Sequence, residues 1–371
     1  MKSTNNMKAL LSRQYRTLIV VLVSVLLFYS CSTGQKQRNE RKAVTRQVSG
    51  TVMNVKDLEG YRIVGIHGDY LFLKEIRDTS RLVVYCIEGD SLIRFKGLIN
   101  KGRGPREFIY PEYAFSSDTL FVSNSDPGGI RAIYGIPLND MSKIDDIHLW
   151  SEHSFHDQNL MTGLGFVPYG KGKFFVAAGR PETRQIFSLA DFGKGETMPL
   201  QFWPRDSTAC PLHCKQMVYM QAKLCVKDEQ ILYASMNARY MFLGKVQGGK
   251  FEVSSYIYSH QPQYKVMPDE NVRYLKSGEY GIQPYATDQY IYAKVGHAVQ
   301  DVEYDGTYKG FPYNYVDQVE VYDWQGSFID NYQTDVPFNS FAVSDDNRKL
   351  YTLTDDLETK EPMILRYELS R

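Results

Sequence analysis

A short pattern of one apolar residue followed by one aromatic residue recurs six times along the chain. Polar or turn-forming residues precede each copy, and β-forming residues surround it. The aromatic members are separated by 49, 54, 58, 59 and 59 residues. Recurrence at this length indicates stacked or radially repeated copies of one supersecondary unit. The six pairs are Leu71-Phe72, Leu120-Phe121, Phe174-Phe175, Leu232-Tyr233, Ile291-Tyr292 and Leu350-Tyr351.

Each pair lies in a series of short apolar stretches separated by tight turns. One stretch precedes the turn ahead of every pair, a third follows the pair, and a fourth is visible in several repeats. Glycines in the last turn, such as Gly89, Gly248 and Gly326, supply the positive φ that two-residue hairpins require. Four antiparallel strands per repeat predict an all-β, six-bladed β-propeller. An open β-solenoid and two stacked sandwiches are the alternatives.

The two ends of the repetitive region predict how the ring closes. The sixth repeat reaches its third strand at residues 364–369, and no fourth strand follows. Residues 52–55 precede the first repeat and belong to no blade of their own. Pairing of these two segments would complete the last blade with an N-terminal strand and leave no large exposed sheet edge. The propeller is therefore predicted to span residues 47–371.

The first residues of the chain have the pattern of an export signal. An apolar run over residues 18–28 follows a charged flank of Lys8, Arg13 and Arg16 and is closed by Ser30-Cys31. The run is too short for a comfortable bilayer span of ~20 residues. The segment resembles the bacterial lipoprotein signal, in which the cysteine is acylated and becomes the first residue of the mature chain. The resemblance implies a signal peptide over residues 1–30 and a lipid anchor on Cys31. A plain secretory signal with an incidental cysteine is the alternative.

Residues 31–46 are polar, basic and free of aromatic side chains. Such a segment cannot bury enough apolar area to offset the entropy of ordering it, so a flexible tether is predicted here. A basic run can also contact anionic lipid head groups.

The charge balance argues against a nucleic-acid partner. The whole chain has 43 basic and 43 acidic residues, and the chain that follows residue 30 has 39 basic and 43 acidic residues. Nucleic-acid-binding proteins carry a concentrated basic face, and this composition supplies no excess of basic residues. We therefore exclude nucleic acid as a partner.

The cysteines beyond position 31 are too few for a disulfide framework. Cys86 and Cys225 lie in apolar, strand-like stretches, where a cysteine acts as a small buried hydrophobe. Cys210 and Cys214 can form one local disulfide if the loop brings their Cα atoms within ~7 Å. An oxidising compartment outside the cytoplasm would permit that bond.

Long loops on one face of the predicted propeller are the candidate recognition surface. In a propeller, the crossovers between blades and the loops between second and third strands open on the same face. Residues 204–219 and 259–280 form long crossovers, and residues 295–319 form a long insertion in the fifth blade. Aromatic side chains suit recognition of a sugar, peptide or protein surface, but they also pack long loops against the fold. The candidate ligand-binding residues of the insertion are His297, Tyr304, Tyr308, Tyr313 and Tyr315.

No motif in the chain specifies catalytic, metal or cofactor chemistry. The six predicted inner stretches, which begin at residues 64, 113, 165, 224, 284 and 341, contain no Asp, Glu or His. This absence counts against a metal-dependent hydrolase of the lactonase type. The histidines lack a spacing as specific as H-E-x-x-H, and the nucleophile-elbow, P-loop and Rossmann glycine patterns are absent. We predict no catalytic residue, no metal and no cofactor.

The most specific internal motif is the run from Lys101 to Phe108, on the crossover from the first blade to the second. It resembles the G-x-G-P-G-E-F signature of TolB-like six-bladed propeller lipoproteins, which are common in Bacteroidetes. The chain departs from that signature by having Arg where the family usually has Gly, which suggests a side chain added at the mouth of the channel. The residues of this loop are Gly102, Arg103, Gly104, Pro105, Arg106, Glu107 and Phe108.

Together these patterns predict a propeller lipoprotein of the bacterial cell envelope. The resemblance to the TolB-like family implies the outer membrane. The predicted role is non-catalytic binding of a ligand or protein by the loop face. A propeller enzyme acting on a carbohydrate, peptide or lactone is the alternative, because a fold does not determine a function. A structural spacer within a larger envelope complex is the third possibility.

Overall fold

The computed structural model describes residues 44–370 apart from 76–79, 105, 125–131, 155–160, 171, 181, 276–280, 298–302, 304 and 306. The predicted signal peptide, Cys31 and most of the predicted tether lie outside the described residues. No helix in the described part of the chain is long and apolar enough to cross a membrane.

The described chain forms a six-bladed β-propeller of four-stranded antiparallel blades, as predicted. Three short strands come first: β1 (Thr45–Val48), β2 (Thr51–Val52) and β3 (Asn54–Val55). Blade 1 has β4 (Arg62–His67), β5 (Tyr70–Lys74), β6 (Ser80–Glu88) and β7 (Ser91–Asn100). Blade 2 has β8 (Pro111–Phe115), β9 (Thr119–Asn124), β10 (Ala132–Pro137) and β11 (Ser151–Ser154). Blade 3 has β12 (Met161–Pro168), β13 (Lys173–Gly179), β14 (Phe187–Asp191) and β15 (Glu196–Leu200).

The second half of the ring contains two additional hairpins. Blade 4 has β16 (Ala222–Lys227), β17 (Gln230–Ser235), β18 (Tyr240–Gln247) and β19 (Lys250–Ser259). The crossover that follows contains the hairpin β20 (Tyr264–Val266) and β21 (Val272–Tyr274). Blade 5 has β22 (Ile282–Ala286), β23 (Tyr290–Val295), β26 (Val316–Asp323) and β27 (Phe328–Phe338), with the hairpin β24 (Thr307–Tyr308) and β25 (Phe311–Pro312) inserted between β23 and β26. Blade 6 has β28 (Ser340–Val343), β29 (Lys349–Asp355) and β30 (Pro362–Glu368).

Short helices occur only in the connections of the described chain. The α-helix α1 (Leu212–Met220) lies in the crossover from blade 3 to blade 4. Two 3-10 helices, Met141–Lys143 and Ile147–Leu149, lie between β10 and β11. The connection between β10 and β11 packs against β7, the outer strand of blade 1, where the Lys96 ammonium donates to the Ser142 carbonyl at 2.6 Å.

An N-terminal strand completes the last blade, as predicted, but it covers Thr51 to Met53, whereas the predicted segment of residues 52–55 continues into a pairing with blade 1. β2 pairs antiparallel with β30, with Val52 opposite Leu365. The next residue extends the pairing, because the Met53 N–H donates to the Ile364 carbonyl at 2.8 Å. The start and end of the propeller are therefore joined in one sheet, and blade 6 gains its fourth strand.

Two further pairings of the N-terminal segment were not predicted. β1 runs parallel to β27 of blade 5, with Thr45 opposite Asn331. β3 runs parallel to β7 of blade 1, with Asn54 opposite Ser91. The segment thus contacts three successive blades. Its ordered β structure begins at Thr45, so Thr45 and Arg46 belong to the sheet and not to the tether predicted for residues 31–46.

The recurrent apolar–aromatic pairs occupy the second strand of every blade, and this position explains their regularity. Eleven of their twelve side chains are almost fully buried, and the twelfth, Phe121, packs edge-on against Phe174 with ring centroids 5.0 Å apart. In blade 4, Tyr233 stacks on Phe242 at 4.5 Å and donates its hydroxyl proton to the Tyr219 carbonyl at 2.7 Å. Large side chains therefore fill the space between sheets while their polar atoms remain bonded.

Candidate functional site

The inner strands begin on the face where the crossovers and the β23–β26 insertion open. Polar and charged side chains lie near the start of four of these strands: Arg62 on β4, Glu112 on β8, Lys223 on β16 and Gln283 on β22. Lys74, at the end of the second strand of blade 1, is the register partner of Arg62. All five line one cavity of about 190 Å³ in the centre of the ring. We refer to these five residues as the channel mouth.

A carboxylate between two ammonium groups organises the channel mouth. The Lys223 Nζ lies 2.6 Å from Glu112 Oε2, and the Lys74 Nζ lies 3.6 Å from Glu112 Oε1. Lys74 also donates to the Pro111 carbonyl at 2.8 Å. The side chains of Lys74, Glu112 and Lys223 are 18%, 14% and 24% exposed. They are shielded enough to interact more strongly than surface ion pairs, and they remain open to the channel.

Burial and charge shift the ionisation of this cluster in a consistent direction. Burial alone would raise the pKa of Glu112, but the neighbouring Lys223 and Lys74 lower it below its ordinary value. Burial lowers the pKa of Lys74, and the positive charges of Lys223 and Arg62 add to that effect while Glu112 opposes it. The carboxylate is therefore ionised at neutral pH, and it is outnumbered by cations.

Two polar side chains of the channel mouth are not paired within the described chain. Neither the Arg62 guanidinium nor the Gln283 amide makes a hydrogen bond or an ion pair with another described residue. Arg62 is nevertheless close enough to contribute to the pKa shifts of Lys74 and Glu112. Partly buried guanidinium and amide groups are usually hydrogen-bonded in folded proteins. The donors of both side chains are therefore available to a bound molecule.

Below the charged residues, the channel wall is mainly apolar. Cys225 and Tyr285 follow Lys223 and Gln283 by two positions and therefore share the channel-facing side of their strands. Burial raises the pKa of the Cys225 thiol to about 12, so this group stays neutral. The apolar wall includes Val64, Phe115, Val167, Leu224, Cys225 and Tyr285.

The sequence did not identify Glu112 as a channel residue, because the inner strand predicted for blade 2 began two residues too late. The predicted stretch of blade 2 begins at Tyr113, but β8 begins at Pro111 and includes Glu112. The six predicted stretches contain no acid, but the complete inner strand of blade 2 contains Glu112. A signal was present: Glu112 alternates with Ala114, and Lys223 alternates with Cys225, as expected of residues that share the channel face.

The aromatic insertion of blade 5 is largely engaged in its own packing. His297 stacks on Tyr308 with ring centroids 3.6 Å apart, and its Nε2 lies 2.7 Å from the Tyr315 carbonyl oxygen. Tyr308 and Lys309 both donate to the buried Asp317 carboxylate. Tyr315 is buried and donates to Asp355 Oδ2 at 2.6 Å.

Of the five predicted ligand-binding residues, the structure brings His297, Tyr308 and Tyr315 together in that packed arrangement. Tyr313 is 47% exposed, and Tyr304 lies outside the described residues. The described part of the insertion is therefore firmly packed, and among the described candidates only Tyr313 presents a large part of its ring to solvent.

A second cleft lies between two crossovers on the same face. It has a volume of about 490 Å³ and is lined by residues 206–208 and 260–264 together with Leu275. The Asp206 carboxylate accepts from the Tyr264 hydroxyl at 2.8 Å and from the Tyr219 hydroxyl at 3.2 Å. The Lys215 ammonium donates to the Asp206 carbonyl at 2.7 Å. Because these groups satisfy one another, the cluster connects the crossovers and leaves little free hydrogen-bonding capacity.

The disulfide that the sequence allows between Cys210 and Cys214 is not formed in the structure. Both are free thiols, as are Cys86 and Cys225. The Cys214 Sγ lies 3.3 Å from His213 Nε2 and donates to the Glu270 carbonyl at 3.5 Å, whereas Cys210 contacts the Tyr264 hydroxyl at 3.7 Å. The two side chains thus have separate partners, because helix α1 begins between them at Leu212.

The loop that carries the family-like motif is a structural brace. Glu107 Oε2 accepts from the Gly104 N–H at 2.8 Å, and a Cβ on Gly102 would lie 1.8 Å from the same oxygen. Phe108 is 1% exposed and packs edge-on against Tyr134 with centroids 5.7 Å apart. The backbone at Gly102 and Gly104 thus lies close to the Glu107 carboxylate, and Phe108 fills the space beside β10. Arg103 is exposed, and Pro105 lies outside the described residues.

Arg106 does not line the channel, contrary to the expectation from the sequence. It adopts φ of 60°, which is the conformation that a glycine would favour at this position. Its guanidinium donates to the Ile147 carbonyl at 2.7 Å, in the connection between β10 and β11. The tight turn is therefore retained without glycine, and the added side chain joins two loops of the scaffold.

Among the described residues, no group of three or more His, Cys, Asp or Glu side chains is arranged to hold a metal ion. The channel mouth contains one acid and three bases, which is a donor set suited to an anion and unsuited to a hard cation.

Comparison with known proteins identifies the fold. No family model and no curated protein matches the chain. A solved structure of a Bacteroides fragilis protein described as exported is similar, with a TM-score of 0.52, 11% sequence identity, and coverage of 87% of this chain and 95% of that one. The structure of an auxiliary nutrient binding protein from Bacteroides thetaiotaomicron has a TM-score of 0.50 and 11% identity, and the match covers 87% of this chain and 76% of the other. At this identity the similarity shows the shared propeller fold.

Proposed function

We propose that this chain is a non-catalytic binding protein of the bacterial cell envelope, which binds a small molecule at the channel mouth. The observation that carries the proposal is the pair of partly buried polar side chains, Arg62 and Gln283, that face a central cavity without a partner in the described chain. Binding sites of this kind combine a concave apolar wall with a few polar groups that orient the ligand.

Export and anchoring rest on the sequence. The segment closed by Ser30-Cys31 resembles the bacterial lipoprotein signal, which supports an acyl anchor at Cys31. The motif from Lys101 to Phe108 resembles that of TolB-like lipoproteins, which supports an outer-membrane location. The two similar Bacteroides structures, one of an exported protein and one of a nutrient-binding protein, agree with an envelope binding role.

The ionisation of the channel acid favours binding over catalysis. A general acid at neutral pH needs a raised pKa, and the pKa of Glu112 is lowered by the neighbouring lysines. Its oxygens are also engaged by two ammonium groups. Glu112 is therefore suited to holding Lys74 and Lys223 in place around the channel.

The anchor predicts a change in location when its thiol is removed. In cells that express Cys31→Ala, we expect the protein to leave the membrane fraction, because one acylated residue would supply its membrane attachment. Cell fractionation with an antibody against the propeller measures this, and Cys86→Ala is the matched control, since Cys86 lies within blade 1. Retention of Cys31→Ala in the membrane fraction would contradict lipid anchoring.

Binding at the channel mouth is tested by blocking the cavity. Val64 lines the channel, so Val64→Phe would fill the cavity while Val64→Ala enlarges it. A thermal-shift screen of the full-length protein against anionic, neutral and cationic small molecules should give at least one saturable stabilisation. We expect Val64→Phe to abolish that stabilisation and Val64→Ala to retain it.

Each variant is first checked for cooperative unfolding in the absence of ligand. Persistence of ligand binding in folded Val64→Phe would place the site elsewhere. Lack of stabilisation by any compound class would contradict the proposed function.

A further inference from the structure

We infer that the channel mouth selects a small organic carboxylate with an apolar body, whose carboxylate binds Arg62 and Gln283 and whose body enters the channel. The inference rests on the proposed function and names the chemical class of its ligand. Three observations carry it: the charge of the mouth, the two unpaired polar groups and the apolar wall beneath them.

The charge of the mouth favours an anion. The lining of the cavity contains three basic residues, Arg62, Lys74 and Lys223, and one acid, Glu112. The net surplus is two positive charges in a partly shielded space, where electrostatic attraction is stronger than at the open surface. A cationic ligand would meet this surplus directly, so we expect the site to reject it.

The unpaired groups favour a carboxylate head. A guanidinium presents planar, parallel N–H donors that match the two oxygens of a carboxylate. Arg62 and Gln283 come from blades 1 and 5, so they approach the cavity from different sides of the ring. Because both side chains line the same cavity, we assign the two oxygens of one head group to their combined donors. Because Lys223 is already bonded to Glu112, Arg62 is the strongest free donor in the described mouth.

The wall below favours an organic body over a bare inorganic ion. Val64, Phe115 and Leu224 line the cavity beneath the charged residues, and the Cys225 thiol stays neutral at physiological pH. A cavity of about 190 Å³ is large enough for a ring, since an apolar cavity of about 150 Å³ in another protein holds benzene. Phenylacetate, a phenyl ring joined to a carboxylate by one methylene group, combines the apolar body and the anionic head in one small molecule.

The experiment uses phenylacetate as the probe and phenylacetamide as its neutral isostere. Calorimetric titration of the full-length protein in detergent should show 1:1 binding of phenylacetate, at least tenfold tighter than that of phenylacetamide or phenethylamine. Arg62→Met keeps much of the side-chain length and removes the charge. It should weaken phenylacetate binding at least tenfold and change phenylacetamide binding by less than threefold.

Two further variants distinguish an effect of the channel mouth on phenylacetate binding from an effect of the protein's overall charge. Arg103→Met removes a cation from the exposed crossover loop, so it should leave the affinity for phenylacetate unchanged. Glu112→Gln increases the positive surplus of the mouth and should tighten phenylacetate binding. Inorganic phosphate should bind at least tenfold more weakly than phenylacetate, because it leaves the apolar wall uncovered.

The possible outcomes distinguish this inference from the proposed function. Equal affinity for phenylacetate and phenylacetamide, or equal loss of both in Arg62→Met, would overturn the carboxylate head. Phosphate binding as tight as phenylacetate binding would overturn the apolar body. If the screen finds a neutral or cationic ligand that Val64→Phe blocks while phenylacetate fails to bind, the inference is wrong and the proposed function stands.

Discussion

Lys294 shows how the fold changes the chemistry of one residue beside the channel. It lies on β23 and is buried, and its ammonium donates to the backbone carbonyls of Asn314 and Asn339. Burial lowers its pKa from 10.5 to about 7, and the positive charge of Arg62 contributes to the same shift. The folded protein therefore releases this proton more readily than the unfolded chain does.

This shift predicts a pH dependence of stability. Between pH 7 and about 10 the unfolded state binds more protons at Lys294 than the folded state does, so this residue makes the free energy of unfolding rise with pH. Lys294→Met should reduce that rise. Urea unfolding at several pH values measures it, with Lys245→Met as the control on the exposed part of β18. Equal pH dependence in wild type and Lys294→Met would contradict the shift.

Arg106 provides a test of backbone conformation at the residue scale. Its positive φ costs a side-chain-bearing residue about 1 kcal/mol relative to glycine. Both Arg106→Gly and Arg106→Ala lose the hydrogen bond to the Ile147 carbonyl. The difference between their free energies of unfolding therefore measures the cost of the backbone conformation.

We expect Arg106→Gly to be more stable than Arg106→Ala by about 1 kcal/mol in urea unfolding. The reverse order, which is the usual one for a position in regular structure, would show that the loop does not hold this residue in the left-handed region.

At the scale of elements, the N-terminal segment closes the propeller through three blades. β2 supplies the missing strand of blade 6, and β1 and β3 extend blades 5 and 1. Met53, between β2 and β3, is 2% exposed, whereas the adjacent Val52 is 57% exposed. The side chain of Met53 packs in the core between blades 1 and 6, with Leu71 and Tyr351.

This alternation gives a matched pair of substitutions. Met53→Ala should lower the free energy of unfolding by about 2 to 4 kcal/mol, because it leaves a cavity between the joined blades. Val52→Ala, one residue away, should change it by less than about 0.5 kcal/mol. Chemical denaturation of both variants measures the difference. Similar losses in the two variants would show that the segment does not hold its register against blade 6.

The elements also show what the sequence can and cannot predict. The pairing of β2 with β30 was predictable because blade 6 lacked a strand and an unassigned β-forming segment was present. The parallel pairings of β1 and β3 were not, because Thr45–Val48 is polar and has no apolar alternation to indicate a sheet. Their partners, β27 and β7, are set by the geometry of the closed ring.

At the scale of the whole molecule, the periodicity of apolar–aromatic pairs predicted the fold because those residues fill the same place in every blade. The channel mouth was harder to predict, because its residues come from four blades and are separated by up to about 220 positions. Glu112 and Lys223 meet only after the ring closes. The aromatic insertion attracted attention by composition, but composition does not distinguish residues that pack a loop from residues that contact a ligand.

Anomalous diffraction from crystals soaked with 4-bromophenylacetate would show whether a ligand occupies the channel below Arg62. We expect one bromine peak inside the ring, beside Phe115 and Leu224, with the carboxylate within hydrogen-bonding distance of Arg62 and Gln283. Crystals of Arg62→Met should lose that peak at the same ligand concentration. A bromine peak on the blade sides or in the cleft beside Asp206, with an empty channel, would show that the channel is not the binding site.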